Sequence, residues 1–175
     1  PDQVDVIVNG FELTRKHLES GRLPSIGYYA YELELVTHRA DGVAGWDDLS
    51  RADKKVRVGV LSSSAAAVYT EAKFGTTATV TSFDSPQNIL DKLKIRQLDA
   101  LIQDTPANVF FLKDQPTLHV VDRPVERGFY VIYCRNGDER LRDAIDSALL
   151  ALIRDGTLRR ILTRYGVWNS GQHWF

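Results

Sequence analysis

The sequence lacks the features of a disulfide-stabilised, membrane-spanning or nucleic-acid-binding domain. Its single cysteine, Cys134, cannot form a disulfide within the chain and lies in the apolar run FYVIYC, where a thiol usually behaves as a small buried hydrophobic group. No run approaches the roughly 18 apolar residues that a membrane-spanning helix needs. With 22 basic and 23 acidic side chains, the net charge of −1 gives no overall field that would attract nucleic acid or an anionic membrane.

Cofactor motifs are lacking as well. Three of the histidines, His38, His119 and His173, are scattered along the chain without the spacing of metal ligands. The GxxxxGK[ST] pattern of a nucleotide-binding loop does not occur. We therefore expect neither a metal ion nor an organic cofactor. The chain also does not open with the basic, apolar and small-residue order of a signal peptide, so an exported parent protein would carry its signal upstream.

What the sequence does contain is an alternation of apolar strands and helices. VRVGVL is followed by three serines and by a helix that Gly75 closes, which is the order strand, N-cap, helix and C-cap. LDALIQD predicts a buried strand, and Thr105 and Pro106 predict the N-cap and first residue of the next helix. LHVVD and FYVIYC predict two further strands. The pattern predicts an α/β fold with mainly parallel strands and helices on both faces.

A helix is predicted from about Asp138 to Arg154, and a second from Thr157 to Tyr165, separated by Gly156. Apolar residues at helical spacing predict a stripe on the first helix that faces the core. Its members are Leu141, Ala144, Ile145, Ala148, Leu149 and Leu152.

The opening stretch VDVIVNGFELTRKH predicts an apolar strand over 4–8, a turn at Asn9 and Gly10, and a helix that begins at Thr14. A strand this apolar needs neighbours on both faces and both edges. The first residues are therefore typical of the middle of a domain. The loop that follows such a strand is where open α/β sheets place ligand-binding groups.

The junction LSSSAAA places the backbone N–H groups of Ser63, Ser64 and Ala65 at a helix start. These donors, the serine hydroxyls and the helix dipole suit a carboxylate or a phosphate. The alternative is that the serines only cap the helix.

Asp104, in LIQDTP, lies at the carboxyl end of a buried strand, where an unpaired carboxylate is costly unless a cation or hydrogen-bond donors meet it. It could instead cap the next helix, but Thr105 is positioned for that. An acceptor at one strand end and N–H donors at another suit a zwitterion, such as a free α-amino acid.

The order and spacing of these segments resemble a known family from Val4 to Tyr165. The matching stretches are VDVIVNGFELT, then GYY before an extended segment, WDDLSRADKKVRVGVLSSS, LDALIQDTP and LRDAIDSALLALIRDGTLRRILTRYG. The chain resembles the type II periplasmic solute-binding proteins of polar amino-acid ABC transporters, the family 3 proteins that include the glutamine- and histidine-binding proteins.

This resemblance implies two α/β lobes, joined by two extended crossovers, that close on a ligand. It implies a complete smaller lobe at residues 31–126. The larger lobe is represented only by residues 1–30 and 127–175, without the family's first strands and helices. We expect its exposed edge or apolar face to be covered by further polypeptide, by another chain or by a symmetry mate.

Residue by residue, the resemblance implies that Asp104 accepts the α-ammonium group of the ligand. The helix start at Ser63, Ser64 and Ala65 resembles the site of the α-carboxylate, and Leu61 resembles an apolar wall. Tyrosines 28, 29 and 31 lie at the first crossover, where packing is the expected role and lining of the cleft the alternative.

In the larger lobe the resemblance places Gly10 at a backbone ligand contact and Glu12 where the family usually has Ser or Thr. The family pattern T-x-x-R, started at Thr14, places His17 where the family has arginine. In the family, that arginine binds the ligand carboxylate with two parallel hydrogen bonds. His17 is therefore a departure from the family pattern. Either the smaller lobe alone holds the carboxylate, or the ligand is not a standard amino acid. Glu12 either selects a cationic ligand or pairs with His17.

Three functions stay open at this point. The first is a periplasmic or extracellular binding module, not an enzyme, that closes on a polar amino acid or related solute and delivers it to an ABC transporter permease, which the parent chain itself could contain. The second is a sensor or degenerate domain that has lost ligand binding, as the missing arginine suggests. The third is an enzyme similar to cyclohexadienyl dehydratase, with Glu12 or Asp104 as the proton-transfer group beside His17.

Overall fold

The computed structural model describes residues 4–173, and the chain divides into two compact units. Unit 1 combines Pro1–Tyr31 with Arg127–Phe175, and unit 2 is the continuous segment Glu32–Glu126. Two long strands carry the chain from one unit into the other, and each unit has its own sheet.

The elements alternate along the chain as an α/β protein requires. The strands within residues 4–173 are β1 (Val6–Ile7), β2 (Leu23–Pro24), β3 (Tyr29–His38), β4 (Arg57–Leu61), β5 (Thr79–Phe83), β6 (Ala100–Asp104), β7 (Leu118–Tyr130) and β8 (Tyr133–Cys134). The α-helices of the same residues are α1 (Arg15–Glu19), α2 (Trp46–Leu49), α3 (Ala65–Phe74), α4 (Pro86–Lys94), α5 (Thr105–Phe111), α6 (Glu139–Arg154) and α7 (Thr157–Arg164), and a 3-10 helix follows at Ser170–Gln172.

Unit 2 is built on a five-stranded sheet with the order β5-β4-β6-β3-β7. β4 pairs in parallel with both β5 and β6, whereas β3 runs antiparallel to β6. The core cluster packs α4 against the sheet, because α4 turns a continuous apolar face inward. Its buried members are Val36, Ile89, Leu90, Leu93, Leu98, Leu101 and Leu118.

Close packing also explains a glycine in the middle of the sheet. A Cβ atom at Gly59 would lie 2.5 Å from Cδ1 of Leu98 and 2.6 Å from Cγ2 of Ile89. Such a gap between a strand and the helix that covers it excludes any larger side chain. This contact holds β4 in place, and β4 leads directly to the candidate site.

Unit 1 contains a three-stranded sheet with the order β1-β8-β2, in which both pairings are antiparallel. Each strand has only two residues. Val6 of β1 and Leu23 of β2 pair with Cys134 of the central strand β8 from its two sides. Cys134 is buried with a free thiol, and burial raises the pKa of that thiol. The predicted role of Cys134 as a small buried hydrophobic side chain matches this position.

Two expectations about the strands differ from the structure. The unit 1 sheet is antiparallel and the unit 2 sheet is mixed, so the strands are not mainly parallel. LHVVD and the start of FYVIYC lie in the same strand, because β7 runs through both His119 and Tyr130, and only the end of FYVIYC forms a separate strand, β8. Pro124 does not end β7 because β7 is an edge strand, and positive φ angles at Asp122 (62°) and Glu126 (46°) bend it.

The opening strand and the stripe on α6 are also less buried than the apolar pattern predicts. Val4 and Val8 are each 57% exposed, and β1 between them is only half-buried. On α6 the buried residue is Leu149, while Ala144 and Ala148 are exposed. Both segments therefore have more apolar positions than residues 4–173 bury.

Candidate functional site

The carboxyl ends of two neighbouring parallel strands in unit 2 bring the predicted site residues of that unit together. Val58 of β4 lies opposite Ala100 of β6, and Gly59 lies opposite Leu101. Continued along the strands, this register places Ser62 beside Asp104, at the usual strand spacing of about 4.8 Å. The serine-rich start of α3 and the carboxylate of Asp104 thus share one edge of the sheet.

The start of α3 is organised by Ser64. Its side chain accepts a hydrogen bond from the N–H of Ala67 at 3.1 Å, and its hydroxyl donates to the carbonyl of Leu61 at 2.7 Å. The N–H of Ser64 also donates to that carbonyl, at 3.3 Å. The capping alternative therefore holds for Ser64, whose N–H and hydroxyl are both engaged within the turn.

Ser63 has a different environment from Ser64. It is exposed and has φ = 60°, in the left-handed region that residues other than glycine seldom adopt. Its N–H makes no hydrogen bond within residues 4–173. A left-handed residue ahead of a helix start turns successive N–H groups toward one side, an arrangement that binds anions. Ser63, next to the half-buried Leu61, is thus the part of this turn whose N–H suits a carboxylate.

Asp104 occupies the N-cap position of α5, but its side chain makes no capping hydrogen bond. The prediction that Thr105 caps this helix was wrong by one residue, since Thr105 and Pro106 are the first two helical positions. The hydroxyl oxygen of Thr105 instead accepts from the N–H of Glu32 at 3.4 Å. Burial raises the pKa of Asp104, and only its own backbone N–H opposes the rise. This carboxylate is desolvated and has no cation beside it in unit 2.

A buried polar network lies next to Asp104, and the sequence patterns did not indicate it. The Gln103 amide donates to Oδ1 of Asn108 at 3.0 Å, and the Asn108 amide donates to Oε2 of Glu34 at 2.9 Å. Burial is the main cause that raises the pKa of Glu34; the bond from Asn108 lowers it, and the charges of Glu32 and Asp104 raise it further. No local pattern indicates this network, because Glu34 and Gln103 become neighbours only through the register of β3 with β6.

In unit 1, Gly10 adopts φ = 62°, which a glycine reaches without strain. Its N–H donates to the hydroxyl oxygen of Tyr28 at 3.1 Å, and a Cβ atom at this position would lie 3.5 Å from the ring of Tyr130. Burial raises the pKa of Tyr28, while the bond from Gly10 lowers it. Tyr29 and Tyr31 are buried in a stack on Tyr130, in agreement with their predicted packing role.

His17 lies on the short helix α1, which begins after Thr14 as predicted. Its Nδ1 is 3.1 Å from the backbone carbonyl of Glu12, so Nδ1 carries the proton and donates. The hydroxyl of Tyr133 donates to the same carbonyl at 3.1 Å, and its ring packs edge-on against His17. The contact between His17 and Glu12 thus involves the backbone carbonyl of Glu12, whereas a pair of side chains was one expected alternative.

Within residues 4–173 there is no group of three or more histidine, cysteine or acidic side chains that could hold a metal ion. A helix long and apolar enough to cross a membrane is also not found in that part of the chain.

Comparison with solved structures identifies the fold. An ArgBP mutant from T. maritima superposes with a TM-score of 0.83 at 19% identity, over 95% of this chain and 71% of that one. The amino acid ABC transporter substrate-binding protein AbpA from Streptococcus pneumoniae, bound to L-arginine, gives 0.81 at 19% identity, over 93% and 68%. An ancestral amino acid-binding protein, a precursor of cyclohexadienyl dehydratase, gives 0.82 at 19% identity, over 94% and 70%.

These likenesses confirm the predicted fold class, an α/β fold of the two-lobed type II periplasmic-binding-protein kind. The resemblance to amino-acid solute-binding proteins is thereby confirmed in fold, and this chain spans about 70% of each of these proteins. By sequence, no protein-family model and no curated protein matches the chain.

The raised pKa of Asp104 makes a prediction about the protein without ligand. A carboxyl group whose folded pKa lies above its unfolded value of about 3.9 destabilises the folded state once the pH exceeds that value. We therefore expect Asp104→Asn to raise the melting temperature at pH 8 and to leave it almost unchanged at pH 4, as followed by circular dichroism. Asp114→Asn, at an exposed acid of unit 2, should change neither value. Equal melting temperatures of Asp104→Asn and the native protein at pH 8 would contradict a desolvated carboxylate.

Proposed function

We propose that this chain is a solute-binding module that takes up a free α-amino acid or a related small zwitterion. The observation that carries the proposal is the shared sheet edge in unit 2, where the desolvated Asp104 lies one strand away from the start of α3. An α-ammonium group supplies the cation that Asp104 lacks, and an α-carboxylate suits the N–H donor of Ser63 at the start of α3. A neutral solute would leave both halves of this edge unsatisfied.

The remaining proposed contacts follow the family resemblance. Leu61 forms an apolar wall beside the ligand backbone, and Ser64 holds the turn that presents the donors. In unit 1, Gly10, Glu12 and His17 form the second set of ligand contacts. The N–H of Gly10 is already bound to Tyr28, so its carbonyl is the group left for a ligand donor.

The proposed physiological role is that of the proteins with the same fold. In this role the module acts on the periplasmic or extracellular side of the cytoplasmic membrane and delivers its solute to an ABC transporter permease. The solved neighbours include an amino acid ABC transporter substrate-binding protein bound to L-arginine. Binding without chemistry also accounts for Asp104 most simply, because a carboxylate that pairs with an ammonium group needs no further catalytic partner. The rest of the larger lobe would come from further polypeptide or from another chain.

A dehydratase is the second candidate, and two observations favour it. One structural neighbour is a precursor of cyclohexadienyl dehydratase, and burial raises the pKa values of Asp104 and Glu34, which favours the protonated form that a general acid needs. Incubation of the protein with prephenate or arogenate would reveal this activity as a loss of substrate, and Asp104→Asn should abolish the loss. Unchanged substrate after prolonged incubation would eliminate the candidate.

The binding proposal predicts that L-amino acids raise the melting temperature of the native protein, because a ligand that binds only the folded state stabilises it. A panel that includes L-arginine and L-glutamine should identify the best ligand, and titration calorimetry should then give its affinity. Asp104→Ala should weaken that affinity by about 2–5 kcal/mol, as expected when one side of a buried charge pair is removed. Asp114→Ala is the matched control. Full affinity in Asp104→Ala would remove Asp104 from the site.

A further prediction concerns His17. Its Nδ1–H is committed to the carbonyl of Glu12, so His17 can give a ligand carboxylate one donor, from Nε2, and only when the ring is protonated. Arginine offers a fork of donors with a permanent charge. We expect His17→Arg to tighten binding of the best amino acid, and Lys16→Arg on the exposed neighbouring position to leave it unchanged.

The same argument predicts that native affinity is higher when the His17 ring is protonated, because only then does Nε2 donate, as long as Asp104 stays ionised. Calorimetry at pH 8, 7 and 6 would measure this change. Weaker binding in His17→Arg, together with a flat pH profile in the native protein, would show that His17 does not contact the carboxylate.

A further inference from the structure

A buried glutamine in the 3-10 helix near the end of the described chain binds the backbone of β3. Gln172 is 0% exposed. Its Oε1 accepts from the N–H of Ala30 at 3.0 Å, and its Nε2 donates to the carbonyl of the same residue at 2.6 Å. The side-chain amide thus pairs with one residue of β3 as a neighbouring strand would.

Two neighbours complete this arrangement. Nε2 of Gln172 also donates to Oδ1 of Asn169 at 3.1 Å, so both of its protons are used. The hydroxyl of Tyr29 donates to the carbonyl of Val167 at 2.8 Å, and Nδ2 of Asn169 lies 3.4 Å from that hydroxyl. We call Val167, Asn169 and Gln172 the C-terminal clasp. A fully satisfied buried amide of this kind has a single orientation and fixes the backbone that it binds.

The segment held by the clasp carries the tyrosines that stack in unit 1. Tyr29 and Tyr31, on either side of Ala30, stack on Tyr130 with ring centroids 5.6 Å and 5.0 Å apart. Tyr130 in turn packs against Gly10, whose N–H is bound by Tyr28 from the chain just before β3. Gly10 therefore contacts Tyr28 and Tyr130. Tyr28 and the tyrosines that stack on Tyr130 lie next to Ala30, which the clasp binds.

We propose that Gln172 is a positioning residue for ligand binding, which acts through Ala30 and the tyrosine stack on the backbone of Gly10. The inference rests on the proposed function, because Gly10 is one of its proposed ligand contacts. The N–H and the carbonyl of Ala30 are both bound by the side-chain amide of Gln172. Loss of the amide would leave two buried backbone groups of Ala30 without partners, which favours movement of the segment.

The experiment uses the full chain with two readouts. One readout is the backbone amide resonance of Gly10 in a 1H–15N NMR spectrum, and the other is the affinity for L-arginine and L-glutamine by calorimetry. Gln172→Met keeps the length of the side chain and removes its hydrogen bonds, whereas Gln172→Glu keeps the acceptor for the N–H of Ala30. Ser170→Ala, at an exposed position of the same 3-10 helix, is the control.

We expect Gln172→Met to shift the Gly10 resonance and to weaken binding about 5- to 10-fold, the usual scale for the loss of one or two hydrogen bonds. Gln172→Glu should give a change at least as large, because its second carboxylate oxygen would face the carbonyl of Ala30 and Oδ1 of Asn169, which are both acceptors. Ser170→Ala should give none. If Gln172→Met does not fold, Asn169→Ala serves as the milder variant of the same clasp. A folded variant with an unmoved Gly10 resonance overturns the proposal, even if its melting temperature falls. If the native protein binds neither amino acid, the proposed function fails for these ligands, while the Gly10 resonance still tests the coupling.

Discussion

The parallel pairing of β4 with β6 is the constraint on which the candidate site depends. Parallel neighbours end at the same edge of a sheet, so the groups that follow them become neighbours regardless of their distance along the chain. Asp104 and the start of α3 are about forty residues apart in sequence, yet the register at Val58 and Ala100 places them side by side. The packing of Leu98 and Ile89 over Gly59 stabilises this register, so the α4 face that forms the core also positions the site.

The unfavourable free energy of this arrangement comes mainly from the desolvation of one carboxylate, that of Asp104. Asp104 is desolvated, has no capping hydrogen bond and lies close enough to Glu34 for their charges to interact. By contrast, Asp99 at the other end of β6 is paired with Arg57 at 2.6 Å, which lowers the pKa of Asp99. One strand thus begins at a neutralised acid and ends at an uncompensated one. Groups with perturbed pKa values cluster at functional sites, which is why Asp104 is central to the proposed function.

Local patterns predicted the parts of the site that depend on neighbours in sequence. The helix start at Ser64 and the strand that ends at Asp104 follow from capping rules and from an apolar run, and both were predicted. The exact cap of α5 was missed by one residue because Asp104 and Thr105 are both common N-cap residues. The bond from Asn108 to Glu34 could not be predicted, since it depends on a register between β3 and β6 that no local pattern encodes.

The same limit explains why unit 1 was predicted less well than unit 2. The strands of its sheet have two residues each, so a backbone ladder fixes little of its geometry. Positions are set instead by side-chain contacts over long sequence separations, such as Gln172 with Ala30 and Tyr133 with the carbonyl of Glu12. Contacts of this type leave no periodicity in a sequence, because a single glutamine or tyrosine looks the same whether it is buried or exposed. They are nevertheless specific, since a buried amide with all its partners accepts only one arrangement of the backbone.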